Sequence, residues 1–431
     1  MLDAQYIREH LDAVKTNCAN RNTKADVDSV VRLDDQRKRL VHERQQLQQR
    51  QNEVSKLIPG EKDNAKKQAL IQEGKQLRVQ VGDLEKQEKQ IDLDLELALK
   101  GIPNLSHPDA PVGTTAEDNK VVKVSGQKPQ FAFKPLDHVA LCEKLDLADF
   151  EAGASVAGQK FYYLKNEAVL LELALVQYAM QTLLAEGYTP VITPDVARDS
   201  VLEGIGFIPR DPDPNKRQIY TLEGTDLCLV ATAEITLGGM HKDKILEADK
   251  LPLKYVGLSH CFRTEAGAPG KETRGLFRVH QFTKVEMFVF CTPEQSEACH
   301  LEILRIEEKI FQGLGLHFHI IDTCTGDLGG PAYRKYDLEA WMPARGEKGD
   351  GAYCEVTSTS NCTDYQARRL KIRYRPANEK GTRFAHTLNG TAVAVTRAIV
   401  AILENYQQAD GTVIVPEVLR PWVGKERIGP R

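Results

Sequence analysis

Hydrophobic residues recur every seven positions in two runs near the amino terminus, on either side of a break at residues 58–60. The first run is Leu33, Leu40, Leu47 and Val54, and the second is Leu70, Leu77, Leu84 and Ile91. A heptad repeat predicts packed helices. Because the two runs mirror each other about the break, they predict an antiparallel coiled-coil hairpin over residues 30–99, with its turn near Lys62. Helices of roughly 30 residues make a rod about 45 Å long.

The pattern changes after this hairpin, where three prolines and a glycine between residues 103 and 113 are typical of a linker. A chain of 431 residues is long enough for two domains. We therefore divide it into an N-terminal domain at 1–103, a linker at 104–119 and a larger globular region at 120–431.

In the globular region, an apolar stretch at 166–186 predicts a long helix that ends at Gly187. Residues 188–194 follow as a short strand bracketed by two prolines. Proline is tolerated at the edges and starts of strands, so we expect this segment at a sheet edge or at a boundary such as a subunit interface.

Two further elements lie near the carboxyl terminus. Residues 353–360 predict a strand that carries Glu355. Asn389–Ala392 predicts the start of a helix that carries Arg397 and runs to about Tyr406. Small residues at a helix start suit the close approach of an anionic ligand.

Residues 260–290 predict two strands joined by a glycine-rich loop, and the second strand has an unusual polar face. Side chains alternate faces along a strand. One face presents Arg278, His280, Phe282, Lys284 and Glu286, and the other presents Phe277, Val279, Val285 and Met287. On the first strand, Arg263 and Glu265 likewise share a face. Charged groups need partners in a dry interior, so the hairpin is either a solvent-exposed face with salt bridges or part of a site.

Composition narrows the class of protein. The net charge of −4 gives no global sign of nucleic-acid binding. The first residues are charged, which argues against a signal peptide, and Glu172 and Arg397 interrupt the two longest apolar stretches, so we expect no membrane span. Nine cysteines without a C-x-x-C pair indicate reduced thiols of a cytoplasmic protein and no zinc site.

The predicted hairpin has an uneven charge. Its outer part, residues 36–78, has eleven Lys and Arg against five acids, whereas residues 79–99 have two lysines against six acids. This pattern fits a solvated face, a dimerisation coil, or an arm that contacts the backbone of a polyanion. The candidate contacts for the last alternative are Arg37, Lys38, Arg44, Arg50, Lys75 and Arg78. The scarcity of aromatic residues argues against base stacking on the arm.

The sequence has neither a Walker loop nor a dinucleotide-binding fingerprint. The spaced glycines at 266–275 belong to the hairpin loop rather than to a strand-to-helix turn. We therefore do not expect a nucleotide fold built on a parallel sheet.

Taken in order, these motifs resemble the bacterial-type seryl-tRNA synthetases, a family of class II aminoacyl-tRNA synthetases, over essentially the whole chain. Residues 187–194 resemble motif 1 of the class, the hairpin with Arg263, Thr264 and Glu265 resembles motif 2, and residues 388–397 resemble motif 3. Thr232-Ala233-Glu234 resembles the seryl-specific T-x-E signature. The resemblance implies an α+β fold, in which the coiled-coil arm precedes a core of antiparallel sheet flanked by helices.

The resemblance also implies a function. Family members ligate L-serine to tRNA-Ser in two steps, first forming seryl-adenylate and pyrophosphate from serine and ATP, then transferring the acyl group to the tRNA 3′ end. It further implies serylation of tRNA-Sec, a homodimer, Mg²⁺ as the metal, and an arm that grips the long variable arm of the tRNA. With these roles we interpret the glycine-rich hairpin loop as a mobile lid that meets ATP and then the tRNA acceptor end.

Site residues follow by resemblance. The ATP site comprises Arg263, Thr264, Glu265, Arg278, Val279, Phe282, Glu355, Val356, Thr357, Ser358 and Arg397. The serine site comprises Thr232, Ala233, Glu234, Arg263, Glu286, Asn389 and Thr391. The resemblance makes Arg263, Arg397 and Glu355 catalytic, Glu286 the partner of the serine hydroxyl, and Glu355 with Ser358 the Mg²⁺ ligands. Residues 355 and 358 do not share a face of a regular strand, so we expect a bulge or a strand end there. Ala231 stands where many relatives have proline.

Two other function classes remain open. An amino-acid:carrier-protein ligase would share the core but is expected to lack the basic arm. An inactive paralogue serving as a binding module would be expected to have lost Arg263, Glu286 or Arg397, and all three are present.

Overall fold

A computed structural model describes residues 1–210, 213, 217–266, 275–346, 349–377 and 379–430. The chain divides into two compact units, residues 1–105 and residues 106–431. Each unit has its own hydrophobic core.

All regular elements of the first unit are helices. Its helices are α1 (Ala4–Glu9), α2 (Leu11–Asn20), α3 (Val27–Leu57) and α4 (Asn64–Lys100). Side chains cap the two long helices, because the Asp26 carboxylate accepts from the Ser29 amide and the Asp63 carboxylate accepts from the Ala65 amide. The turn between α3 and α4 falls at the predicted break.

Cross-helix ion pairs show that α3 and α4 run antiparallel. Arg50 pairs with Glu73 at 2.8 Å, Arg44 with Glu88 at 2.7 Å, and Arg37 with Asp92 at 2.6 Å. Along the seam, Val54, Leu77, Val81 and Leu84 are buried, and the remaining heptad residues are half-buried. The predicted helical arm is confirmed, with polar pairs along its seam.

The second unit combines one large sheet with helices. Its helices are α5 (His138–Leu145), α6 (Phe150–Ala157), α7 (Glu167–Ala185), α8 (Asp199–Ile205), α9 (Ala233–Gly239), α10 (Ser296–Gly313), α11 (Tyr365–Leu370), α12 (Val395–Tyr406) and α13 (Arg420–Val423). The main-sheet strands are β1 (Lys120–Ser125), β4 (Thr189–Ile192), β8 (Leu253–Phe262), β9 (Gln281–Cys291), β10 (Phe318–Asp322), β11 (Arg334–Met342), β12 (Ala352–Asn361) and β15 (His386–Ala394). Short strands pair outside it: β2 (Ala148–Asp149), β3 (Tyr163–Leu164), β5 (Val196–Arg198), β6 (Leu227–Leu229), β7 (Ile245–Glu247), β13 (Arg373–Arg375), β14 (Arg383–Phe384), β16 (Val413–Ile414) and β17 (Arg427–Ile428).

The main sheet has the strand order β1-β10-β11-β12-β15-β9-β8-β4. All neighbours are antiparallel except β4, which runs parallel to β8. The α+β prediction is therefore confirmed. The proline-bracketed segment is an edge strand, as predicted, and α7 before it ends near Gly187, which has a left-handed φ of 82°.

Strand β9 separates two cores. Val285, Met287 and Val289 pack into the larger core, which also contains residues of α7, α10 and α12. Phe288 and Phe290 pack into the second core with residues of α8, α9 and α11. The strand alternation predicted for β9 is thus present, and both of its faces are covered.

One helix of the second unit is apolar along most of its length. Among the described helices, α7 alone is long and apolar enough to cross a membrane by length and composition, although Glu172 was expected to prevent this. Leu171, Ala174 and Leu175 of α7 lie in the larger core. Length and apolar composition do not make α7 a membrane span, because the core helices of globular proteins share both properties.

The prediction of a helix start at Asn389–Ala392 is wrong. These residues belong to β15, in the middle of the sheet between β12 and β9, and the helix begins at Val395. Gly390 is small for a packing reason, since a Cβ there would collide with Ile303 of α10. Small residues in this stretch therefore reflect close packing of a helix on the sheet.

The hairpin at 260–290 is shorter than predicted. Strand β8 ends at Phe262 and β9 begins at Gln281, so Arg263–Glu265 and Arg278–His280 form the irregular ends of the two strands. Glu265 has a left-handed φ of 51°, which is incompatible with a continuing strand. Most of the glycine-rich loop interpreted as a lid, residues 267–274, lies outside the described residues.

Candidate active site

A pocket opens on the sheet where β9, β12, β15 and the start of α12 meet. It is lined by Arg263, Glu265, Phe277, Arg278, Val279, Phe282, Lys284, Glu355, Val356, Thr357, Thr391, Ala394, Thr396 and Arg397. Nine of the eleven residues predicted for ATP are among them. The fold thus brings together segments that lie more than 130 residues apart in the sequence.

Thr264 and Ser358 are the two predicted ATP residues outside this lining. The Thr264 hydroxyl donates to the carbonyl of Arg217, and its amide donates to the carbonyl of Gln218 at 3.1 Å. Its side chain is therefore engaged by the segment at 217–218. Thr357 lines the pocket, but its hydroxyl donates to the Glu307 carboxylate at 2.9 Å.

Arg263 is held at the end of β8. Its Nε donates to the Ala231 carbonyl at 3.3 Å, and its guanidinium lies 5.4 Å from the centre of the Phe282 ring. The carbonyl of Arg263 lies 2.8 Å from Nδ1 of His280. The carbonyl of Ala231 orients Arg263. Proline, which many relatives have at this position, has the same backbone carbonyl.

Glu265 pairs with Arg278 rather than with Arg263. Arg278 Nη1 lies 3.1 Å from Glu265 Oε2, which joins the two irregular ends of the hairpin. Both side chains also line the pocket. The expectation that Arg263 and Glu265 share a strand face is wrong, because the left-handed turn at Glu265 redirects its side chain.

Arg397 and Glu355 form the opposite side of the pocket. Arg397 Nη1 donates to the Glu355 carbonyl at 2.9 Å and lies 3.2 Å from its carboxylate. The Arg397 guanidinium also lies 4.8 Å from the centre of the Phe277 ring. The surrounding protein raises the pKa of Glu355 by excluding water. Nearby cations, Arg397 first among them, outweigh this effect, so the pKa lies below the usual value.

A β-bulge lies where the spacing of residues 355 and 358 required an irregularity. Glu339 of β11 faces Glu355, and the next residue, Leu338, faces Thr357, so Val356 is the extra residue. Thr357 points to Glu307 on the helical side, and Ser358 comes next along the strand. The bulge thus allows Glu355 and Ser358 to project on the same side.

Oxygen donors at this bulge fit a hard divalent cation. Half-exposed Glu355 supplies an ionised carboxylate, and Ser358 lies directly across the ladder from Asp337. Burial raises the pKa of Asp337 to about 6, against the effect of Lys335, whose Nζ lies 2.8 Å away. Among the described residues, no group of three or more His, Cys, Asp and Glu side chains could hold a metal ion. All nine cysteines are buried free thiols.

A second group of polar residues lies deeper, beside Lys284. Lys284 Nζ is 2.5 Å from Glu286 Oε2, and the Thr391 hydroxyl donates to the same oxygen at 3.1 Å. Lys284 and Glu286 are almost fully buried. Of the residues predicted for serine, Glu286 and Thr391 are thus in direct contact.

Glu234 stands beside this group at the start of α9. Its Oε1 accepts from Asn389 Nδ2 at 2.9 Å and from Gln366 Nε2 at 2.7 Å, and its amide donates to the Thr232 hydroxyl at 3.2 Å. Burial and the nearby charge of Glu286 raise the pKa of Glu234 to about 7. Ala233 is buried and contributes to the second core.

Sequence reasoning missed three residues of this site. Lys284 was noticed on the polar face but not as the partner of Glu286, and Gln366 was not noticed. Phe277 was predicted for the core, where it does lie, but not for the pocket that it also lines. The opposite charges two residues apart on one strand face, at 284 and 286, could have predicted the Lys284–Glu286 ion pair. Gln366 and Phe277 depend on contacts from α11 and α12, which no local pattern reveals.

The predicted tRNA contacts on the arm fall into two groups. Arg37, Arg44 and Arg50 form the cross-helix ion pairs, and Lys38 pairs with Asp34. Lys75 and Arg78 are exposed, and within the arm, which is described throughout, neither forms an ion pair.

Comparison with known proteins gives the same picture over the whole chain. The family model for the seryl-tRNA synthetase N-terminal domain matches residues 1–106, and that for the tRNA synthetase class II core domain (G, H, P, S and T) matches residues 220–406. The serine–tRNA ligase of Treponema denticola is 54% identical over 429 residues, covering 100% of both chains, and that of Rubrobacter xylanophilus is 53% identical over 430 residues, covering 100% of this chain and 99% of the other.

Solved structures agree with these relatives. The seryl-tRNA synthetase of Pyrococcus horikoshii, solved in complex with ATP, superposes with a TM-score of 0.91 at 40% identity, covering 100% of both chains. The cytoplasmic enzyme of Naegleria fowleri, solved with AMP, gives a TM-score of 0.86 at 32% identity, covering 100% of this chain and 99% of the other. The chain belongs to the seryl-tRNA synthetases, the serine–tRNA ligases among the class II aminoacyl-tRNA synthetases.

Proposed function

We propose that this protein ligates L-serine to tRNA-Ser through a seryl-adenylate. The observation that carries the proposal is the arrangement of two carboxylates, Glu234 and Glu286, deep beside a shallower group of arginines. A small amino acid with an ammonium and a hydroxyl suits the first group, and a polyphosphate suits the second. Full-length relatives named as serine–tRNA ligases support the same assignment.

ATP occupies the shallower group in this proposal. The serine carboxylate attacks the α-phosphate, and pyrophosphate leaves. Arg263 binds the α-phosphate and the serine carboxylate, and Arg397 binds the γ-phosphate; both present planar donors suited to oxyanions. Phe282 stacks on adenine, and Glu265 accepts from its amino group. The reaction needs no side-chain nucleophile, because positioning and charge stabilisation lower the barrier. A relative solved in complex with ATP supports this nucleotide.

Glu355 and Ser358 would hold Mg²⁺ in this proposal, and the ion would supply positive charge against the phosphates. Glu355 also fixes Arg397 through its carbonyl and carboxylate, so the chain's own contribution is to orient the arginine.

The deeper group selects serine. Glu234, with Thr232 beside it, binds the ammonium, and Glu286 accepts from the hydroxyl, with Asn389 and Thr391 completing the pocket. A site built to bond a hydroxyl rejects the analogue that lacks one by about 10⁴-fold or more. Alanine is therefore rejected by an unpaired carboxylate.

The helical arm of α3 and α4 binds the tRNA backbone. Lys75 and Arg78 are the best placed of the predicted residues, because their charges are not balanced by an ion pair on the arm. Arg37, Lys38, Arg44 and Arg50 contribute mainly to the seam and surface of the arm. Such contacts position the tRNA without reading its sequence. We extend the substrates to tRNA-Sec because the resemblance to the family implies it.

The protein is a cytoplasmic homodimer in this proposal. Edge strand β4 and α7 present exposed apolar residues, among them Ile192 at 83% and Leu173 at 61% exposure. Exposed apolar side chains on neighbouring elements suit a protein interface. Sedimentation equilibrium tests it: Ile192→Glu should shift the mass from dimer to monomer. Buried free thiols fit a reducing compartment.

Removal of the arm tests the division of labour. Arg37 and Asp92 lie side by side, so residues 38–91 can be replaced by a short turn between them. We expect this variant to retain serine-dependent ATP–pyrophosphate exchange and to lose most of its kcat/KM for charging tRNA-Ser. Charging at the normal kcat/KM would refute the role of the arm.

A further inference from the structure

Glu404 is a fully buried carboxylate that the reaction does not use. It lies on α12, seven residues after Arg397, and therefore on the same face of the helix. Its Oε1 accepts from the His138 amide at 3.2 Å and lies 2.9 Å from His138 Nδ1, and its Oε2 accepts from the Ala344 amide at 3.4 Å. A buried charge of this kind is costly unless its partners are fixed.

His138 links Glu404 to the end of the hairpin loop. Its Nε2 accepts from the backbone amide of Leu276 at 3.2 Å. Nε2 is therefore the unprotonated nitrogen, and Nδ1 carries the proton that is donated to Glu404. Gly275, next to Leu276, has a left-handed φ of 71°, and a Cβ there would collide with the His138 ring.

Both chains of contacts from Glu404 end at Phe277. Through His138, Glu404 fixes Leu276, the residue before Phe277. Glu404 also binds the amide of Ala344, the residue before Arg345. The Arg345 guanidinium lies 3.8 Å from the centre of the Phe277 ring. The same ring lies 4.8 Å from the Arg397 guanidinium. Phe277 is thus held from two directions and contacts a residue proposed to bind ATP.

We propose that Glu404 and His138 form a positioning pair that sets Phe277, and through it Arg397, for binding ATP. Neither side chain lines the pocket, so they act on the nucleotide only through other residues. The inference rests on the proposed role of Arg397 in the ATP site. It assigns a positioning role in adenylate formation to His138 on α5 and to Glu404 near the end of α12.

Two substitutions of His138 separate its two contacts. In His138→Asn, the amide nitrogen takes the place of Nδ1 and keeps the bond to Glu404, but the side chain is too short to reach Leu276. In His138→Gln, the amide oxygen takes the place of Nε2 and keeps an acceptor for Leu276. A matched control is Leu145→Ala, which removes a fully buried side chain from the same helix.

The readout is serine-dependent ATP–pyrophosphate exchange with the full chain. We expect His138→Asn to raise the KM for ATP about tenfold, the factor for one lost hydrogen bond. The KM for serine should be unchanged. His138→Gln, which keeps the acceptor for Leu276 but loses the bond to Glu404, should bring the KM for ATP back only part of the way. Leu145→Ala should lower the melting temperature and leave the KM for ATP as it is. Should His138→Asn fail to fold, Gly275→Ala, which pushes on the ring, should give the same selective rise.

The proposal is overturned if folded His138→Asn leaves the KM for ATP at its wild-type value, whether or not its melting temperature falls as that of Leu145→Ala does. It is also overturned if the KM values for ATP and serine rise together. Arg397→Ala separates this result from failure of the proposed function: an unchanged KM for ATP in that variant would remove Arg397 from the ATP site itself.

Discussion

Lys284 Nζ lies 2.5 Å from Glu286 Oε2, and both side chains are almost completely buried. The two residues project from one face of β9, so a single strand supplies both the acceptor proposed for the serine hydroxyl and the cation that balances its charge. Removing one member of a buried ion pair leaves the other charge unpaired, which costs more than the pair itself contributes.

Lys284→Met should therefore destabilise the protein. We expect the free energy of unfolding to fall by about 3–5 kcal/mol, measured by urea denaturation. The double variant Lys284→Met/Glu286→Gln removes both charges and should recover most of the loss. A single variant as stable as the wild type would show that Lys284 does not balance Glu286.

Glu286→Ala should nearly abolish serine-dependent pyrophosphate exchange, because the hydroxyl loses its acceptor. Glu286→Gln keeps an acceptor of the same size and should retain more activity. The control is Glu265→Ala, which should raise the KM for ATP and leave the KM for serine unchanged. Near-normal exchange by Glu286→Ala would remove this residue from the serine pocket.

Serine binding should depend on pH through Glu234, whose pKa is raised to about 7. Below this value the carboxyl is protonated and neutral, so its attraction for the ammonium of serine is lost. We expect the KM for serine to rise as the pH falls from 8 to 6, and Glu234→Gln to flatten this dependence. The KM for ATP, measured in the same assays, is the reference. An equally steep profile in Glu234→Gln would assign the titration to another group.

Glu307 should oppose stability at high pH. It is fully buried under β12, and burial raises its pKa well above the usual value. The folded chain then holds a proton that the unfolded chain releases above about pH 4.3, so stability falls as the pH rises by at most about 1.4 kcal/mol per unit. Glu307→Gln should be more stable than the wild type at pH 8, and the difference should shrink toward pH 5. A difference independent of pH would contradict the assignment.

The arm cations should affect tRNA but not adenylate formation. Lys75→Ala/Arg78→Ala should weaken tRNA-Ser binding and make its dependence on salt shallower, because fewer counterions are released. Arg37→Ala, which breaks a pair exposed on the arm, should have a smaller effect. Equal effects of the two variants, or a Kd that does not depend on salt, would argue against contact of Lys75 and Arg78 with phosphates.

Much of the architecture could be predicted, because its signals are periodic. The heptads on either side of residue 60 predicted the antiparallel arm, and the proline-bracketed segment predicted an edge strand. The spacing of Glu355 and Ser358 required a break in the strand, and the bulge at Val356 supplies it.

What could not be predicted depends on contacts between distant segments. Gly390 resembles a helix start in sequence, but it is small because α10 packs against β15. Phe277 lies in the larger core as predicted, but its ring also contacts Arg345 and Arg397 from other segments and lines the pocket. Gln366 reaches Glu234 from 132 residues away. Such partners become visible only once the sheet is assembled.

The most direct test of the account is ATP–pyrophosphate exchange with each of the twenty amino acids, with and without tRNA-Ser. A pocket with Glu234 for the ammonium and Glu286 for the hydroxyl predicts rapid exchange with serine, none with alanine, and no requirement for tRNA. Exchange that is fastest with another amino acid, or that occurs with none, would contradict the central claim that this chain activates serine.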